Sequence, residues 1–188
     1  MIFDFSLIQT WFTQGALHPL LTASHVILLL SLAVLIGQQG LKLWQFILTA
    51  IAIFAGFFMN QTMNIGLIKN INIELILSAF ALVTSLLVIF KLRLPLILVS
   101  LIIFMSILTV AYDSEPVVIP GVGSNSINNW LLGAFISTFS FTVLVALIAN
   151  FLKRFWNGII LRVMGSWIAT STIFIITLSF ATLNKGMT

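Results

Sequence analysis

The chain is written as long apolar runs separated by short polar punctuation. Six such runs follow one another at about 19–36, 41–59, 72–90, 94–112, 129–151 and 159–182, each long enough to cross a hydrocarbon core about 30 Å thick. The apolar residues are continuous within each run and do not alternate, so the pattern predicts helices rather than barrel strands. Pro19 and Pro95 each fall near a predicted helix start, where the missing N–H costs nothing. Ahead of the first run, residues 2–13 read IFDFSLIQTWFT. Phe5, Ile8 and Phe12 recur near helical spacing, with Asp4, Gln9 and Gln14 interspersed, so residues 1–14 read as a short interfacial helix, with a frayed apolar tail as the alternative. The fold expected is all-α: a polytopic integral membrane protein, a six-transmembrane-helix bundle, forming a single membrane domain over residues 1–188.

Composition strengthens this picture. Hydrophobic residues make up 61% of the chain and charged residues 6%, against about 25% charged in a soluble domain. A soluble fold of this length has too little polar surface to cover such a core. The lipid bilayer is therefore the first partner expected. The 17 phenylalanines and five tryptophans suit lipid-facing and interfacial positions. With no cysteine there is no disulfide framework, thiolate metal site or iron–sulfur cluster. No basic segment and cleavage site precede the first run, so no cleavable signal peptide is expected.

The net charge of +4 matters through its placement rather than its size, and does not point to nucleic acid. Lys42, Lys91, Arg93, Lys153, Arg154 and Arg162 belong to the turns after the first, third and fifth runs, or to their edges. The other side holds Lys69 and Lys185 together with all four acids, Asp4, Glu74, Asp113 and Glu115. Basic residues stay cytoplasmic, so both termini are expected on the outer side. The longest loop, about 113–128, is then also outside; its Pro, Gly, Ser and Asn suit a connection, and a lid over an outer site is the sharper reading.

Candidate chemistry gathers at the start of the first run, GALHPLLTASH, which carries both histidines of the chain, His18 and His25. On a straight helix they would point the same way but lie about 10 Å apart along the axis, too far to share an ion bonded at about 2 Å. Residues before proline avoid the helical region, so His18 is expected in the loop leading into the helix, from which it can fold back toward His25. Either the two share a metal, or they are separate interfacial residues whose ring N–H groups bond backbone carbonyls. Glu74, opening the third run on the same side, is either a carboxylate partner for an outer cation or an acid favoured by the helix dipole. Asp113 and Glu115 are expected to be solvated loop acids. Gly133, Ser137 and Ser140 on the fifth run, and Gly165 and Ala169 on the sixth, permit close helix packing. Arg162 is expected to snorkel to the cytoplasmic edge. No phosphate-binding glycine loop, HExxH, Ser–His–Asp set or mid-span acid is present, so enzymatic catalysis is not expected.

At GALHPLLTASH the chain resembles the HupE/UreJ family of bacterial membrane proteins, associated with nickel or cobalt supply to hydrogenase and urease. The family opens its first span in the form HPLTGxDH; Gly15, His18, Pro19 and His25 match, while Ser24 stands at the aspartate position. Glu74 and Ser78 match a Glu–Ser pair in the third span, and Arg162, Gly165, Ser166, Ile168 and Ala169 resemble a pattern in the last. The family's FHGxAHG in the fourth span departs: aligned on Phe104 this chain reads FMSILTV, with Met105 and Thr109 at the histidine positions. In the fifth span Thr138 is kept, and Thr142 or its neighbours replace a histidine. The metal motif is thus degenerate.

The resemblance implies a location in a bacterial-type inner or other energy-transducing membrane. It implies a permease for a divalent transition metal, nickel or cobalt, carried as substrate, with His18, His25 and Glu74 as the outer site. The missing histidines support the alternative, a non-transporting accessory subunit docked on other integral membrane proteins. A haem ligated by one of the histidines with Met105 is the remaining, less supported possibility.

Overall fold

A computed structural model describes residues 11–62, 72–114 and 124–185. Every regular element among them is helical: α1 (Trp11–Leu21), α2 (Ala23–Gln39), α3 (Leu43–Thr62), α4 (Ile73–Ile89), α5 (Leu96–Asp113), α6 (Ser124–Leu152) and α7 (Ile159–Lys185), with a short 3-10 turn, Phe155–Gly158, before α7. Most of the interfacial segment expected over 1–14 lies outside the described residues, as do Asp4, Lys69, Glu115 and the central part of the long loop.

Three helical stretches are long and apolar enough to cross a membrane: Leu96–Asp113, Ser126–Leu152 and Phe155–Ala181. The chain thus has the helices of a membrane protein. The bent pair α1 and α2 has the length and composition of a fourth, whereas Leu43–Met59 and Ile73–Ile89 are shorter apolar helices.

α2 is the axis of the molecule. It packs against α1, α4, α5, α6 and α7, and its residues from Ser31 to Gln38 are all buried. Side-chain bonds pin it to α4: the hydroxyls of Ser31 and Thr84 lie 2.7 Å apart, and Gln38 Nε2 donates to the Val88 carbonyl at 2.9 Å. The partners advance together along both chains, so α2 and α4 run parallel. α7 packs mainly on α4 and also meets α2, α3 lies mainly on α5, and α1 lies on α6.

Small residues set the closest crossings. Where α1 meets α6, a Cβ on Gly15 would strike the backbone of Trp130, and a Cβ on Gly133 would strike that of Phe12. Two glycines facing in this way let the helix backbones touch. Gly165, expected to serve close packing, does so against Ser85, Val88 and Ile89 of α4.

The basic turns gather at one end. There the last carbonyls of α4 and its exit, which lack intrahelical donors, are met by side chains. Arg162 Nε donates to the Ile89 carbonyl at 2.9 Å, so Arg162 does more than snorkel. Gln39 Nε2 donates to the Leu92 carbonyl at 2.6 Å. Lys91 Nζ reaches the Asn157 carbonyl at 3.0 Å, across a turn in which Trp156 and Asn157 both have positive φ.

Three expectations are corrected. The first run is not one continuous helix from about 19 but crosses from the end of α1 into α2, because Thr22 adopts extended backbone at φ −83°, ψ 113°. Pro19 and His18 lie inside α1 rather than in a loop before a helix. Near α1's end the ring's missing N–H leaves the Gly15 carbonyl without its i+4 donor but does not stop the helix for another turn. α6 begins at Ser124, five residues before the expected 129, and α5 continues to Asp113, which shortens the long loop at both ends.

Candidate functional site

The sequence sets a break between α1 and α2, and the break makes the site. The Thr22 amide and hydroxyl both donate to the His18 carbonyl, at 3.1 and 3.0 Å. This closes α1 on itself and uses the hydroxyl that would otherwise cap α2. A new helix then starts, with the Val26 amide bonding the Thr22 carbonyl at 3.0 Å. The two helix axes meet at 71°.

The bend achieves what a straight helix forbids. The rings of His18 and His25 come to a centroid separation of 5.5 Å with planes at 76°. His25 is fully buried at the start of α2, and His18 is half-buried in the last turns of α1. Trp130, on the first part of α6, packs against His18 with ring centres 5.6 Å apart, and edge-on against Trp11 at 6.5 Å. Its indole N–H donates to the Ser114 carbonyl at 3.4 Å, tying α6 to the end of α5.

The carboxylate of the site is Asp113. His25 Nε2 lies 2.8 Å from its Oδ2, and the acid side chain keeps 32% of its surface exposed. Asp113 is therefore a helical residue bonded to a buried ring, not a solvated loop acid. A signal for it lay in the sequence: it directly follows the fourth apolar run, on the side where both histidines were expected. Nothing in the sequence chose between it and Glu115. Trp130 and Thr22 carried no signal that reading residue by residue could weigh.

Two ring nitrogens remain without protein partners. His18 Nε2 and His25 Nδ1 are both buried and unbonded. A buried polar atom left in this state costs about 1–3 kcal/mol, and here two occur on adjacent rings.

The other expected site residue is not brought in. Glu74 is exposed in the first turn of α4. Among the described residues no group of three or more His, Cys, Asp or Glu converges as a metal-binding set, so the expected trio of His18, His25 and Glu74 does not assemble. Met105, considered as a softer ligand, is 40% exposed on α5. Thr138 and Thr142, aligned near the family's fifth-span histidine, are buried, and the Thr142 hydroxyl donates to the Thr138 carbonyl at 2.8 Å.

Comparison with protein-family models, with curated proteins and with solved structures finds no match to this chain.

Proposed function

We propose that the chain is a six-span membrane protein of the HupE/UreJ type that takes in a divalent transition metal, nickel or cobalt, from the non-cytoplasmic side. The observation that carries this reading is the broken helix: His18 before the break and His25 after it, with rings 5.5 Å apart and one buried nitrogen on each ring without a hydrogen-bond partner. Interrupted helices are where membrane transporters build substrate sites, since the break exposes polar groups at membrane depth. The distance fits one ion. A metal–nitrogen bond of about 2 Å sets each ring centre about 3.1 Å from the metal, so two imidazoles in a tetrahedral arrangement have centres about 5 Å apart. Imidazole suits nickel and its first-row neighbours. With two imidazoles, water completes the coordination, as suits a cargo that must leave again.

The six-span plan is supported by element order. α2 through α7 alternate in direction, with turns 40–42, 90–95 and 153–158 at the basic end and the longer connections at the histidine end. α4, at 17 residues, covers about 26 Å, close enough to the hydrocarbon thickness for modest bilayer thinning to absorb the difference. Lys42, Lys91, Arg93, Lys153, Arg154 and Arg162 then lie on the cytoplasmic side, and the histidine pair opens outward.

The test is metal binding and uptake. Purified protein titrated with Ni²⁺ or Co²⁺ is expected to bind one ion, and His25→Ala to abolish both that binding and uptake into cells. Unchanged uptake in His25→Ala overturns the reading.

One observation favours the alternative of a non-transporting accessory subunit: α7 leaves large apolar side chains exposed, with Trp167 at 74% and Phe174 at 70%, on a chain whose third ligand is missing. That reading predicts a stable complex with another integral membrane protein after mild extraction, and indifference to His25→Ala.

A further inference from the structure

We infer that Asp113 is the positioning residue of the metal site: it holds His25 as the Nε2–H tautomer, and thereby presents Nδ1 as a bare lone pair toward a metal shared with Nε2 of His18. This rests on the metal-intake reading above and gives it a specific chemistry.

A neutral imidazole has one donor and one acceptor nitrogen, and the partner of one decides the state of the other. The carboxylate of Asp113 only accepts, so at 2.8 Å the hydrogen between the two groups belongs to Nε2. The opposite nitrogen, Nδ1, is buried and meets no protein donor or acceptor. A hydrogen there would face no protein acceptor, whereas a lone pair is ready for a cation. The neighbouring ring offers the matching atom, since His18 Nε2 is also buried and unpartnered. Trp130 packs against the ring of His18.

The position of Asp113 suits this role and not that of a ligand. Its carboxylate is bonded to Nε2, leaving Nδ1 as the His25 nitrogen without a partner. It closes α5, where the Ser114 amide and hydroxyl both return to the Val110 carbonyl, at 3.1 and 2.8 Å, so the acid is carried on a secured helix end. Hydrogen-bonded carboxylates behind ligating histidines fix ring orientation and raise basicity, and their loss lowers metal affinity about 10–100-fold.

The test combines a spectrum without metal and a titration with it. Nitrogen-15 NMR of histidine-labelled wild-type protein in detergent, metal-free, is expected to show His25 as the Nε2–H tautomer. Asp113→Ala is expected to lose that signature and to bind Ni²⁺ about 10–100-fold more weakly. Asp113→Asn, whose side-chain carbonyl still accepts the Nε2–H bond, is expected to keep the tautomer and to lose less affinity than the alanine variant. A wild-type protein showing the Nδ1–H tautomer overturns the inference with no metal needed, and holds as a test even if Asp113→Ala does not fold. Wild-type affinity in a folded Asp113→Ala also overturns it, leaving the metal reading intact. A wild-type protein that binds neither Ni²⁺ nor Co²⁺ overturns the metal reading, and the role of Asp113 in metal binding with it.

Discussion

The imidazole of His25 and the carboxylate of Asp113 meet at 2.8 Å although 88 positions separate them. The pair joins the start of the central helix to the end of α5 and leaves Nδ1 of the ring without a partner, beside the ring of His18. Glu74, which the sequence offered as the acid, stays exposed on α4. Metal binding should therefore be sensitive to His18 and insensitive to Glu74. His18→Ala removes one of the two proposed ligands, and its Ni²⁺ affinity is expected to fall at least as far as the 10–100-fold loss typical of an outer-shell partner. Glu74→Gln is expected to match wild type within about twofold, since an exposed charge contributes little. Isothermal titration of both variants measures this, and a larger loss in Glu74→Gln would return that acid to the site.

The crossing of α1 on α6 should tolerate no side chain. Gly15→Ala and Gly133→Ala each place a methyl group against backbone, which cannot step aside as a rotamer can. Each is expected to cost at least the 1–3 kcal/mol typical of overpacking, about 2 kcal/mol as a working figure. Thermal unfolding in detergent should show the loss. Because α1 carries His18, Ni²⁺ affinity should fall in the same variants, even though neither glycine touches the metal.

The bond between Ser31 and Thr84 should hold α2 to α4 by a modest amount. Polar pairs between membrane helices couple by about 0.6 kcal/mol on average, and up to about 1.7. A double-mutant cycle of Ser31→Ala with Thr84→Val is expected to give a coupling in that range. Each hydroxyl also has a carbonyl of its own helix within reach, Ser31 that of Leu28 at 2.8 Å and Thr84 that of Phe80 at 2.8 Å, so the one that accepts across the pair donates its hydrogen there. Neither is therefore stranded when its partner is removed. Zero coupling would mean that packing alone aligns the two helices.

Orientation can be read directly, because the chain has no cysteine to remove. Single substitutions Lys42→Cys and Lys91→Cys, both at exposed positions, are expected to react with an impermeant thiol reagent only from the cytoplasmic side. Asn128→Cys, exposed at the histidine end, is expected to react only from outside. The reverse pattern would place the histidine pair in the cytoplasm and end the intake reading.

Much of the architecture was legible because its cause is local. Continuous apolar runs with polar punctuation specify helices wherever backbone groups must bond within their own segment. The positions of α3, α4, α5 and α7 follow the runs from which they were predicted to within a few residues at most ends. His18 and His25 were likewise conspicuous, as the two histidines of a chain with few ionisable groups. What local pattern could not supply was the turn between them. Pro19 pointed to a helix start, but the chain breaks at Thr22, where a hydroxyl and an amide both close on the His18 carbonyl.

By itself the sequence determined an all-helical chain of apolar elements, a basic end opposite an end that carries both histidines, and small residues for close packing. These are properties of single segments, set by hydrogen bonding and side-chain size. The tertiary structure alone decided that the first run crosses from α1 into α2 at a bend of 71°, that the histidine rings meet at 5.5 Å, and that Asp113 rather than Glu74 stands behind His25. Each depends on how α2 seats among α1, α5 and α6. A contact between residues far apart in the chain is fixed by the packing of whole helices, and no single segment contains that information.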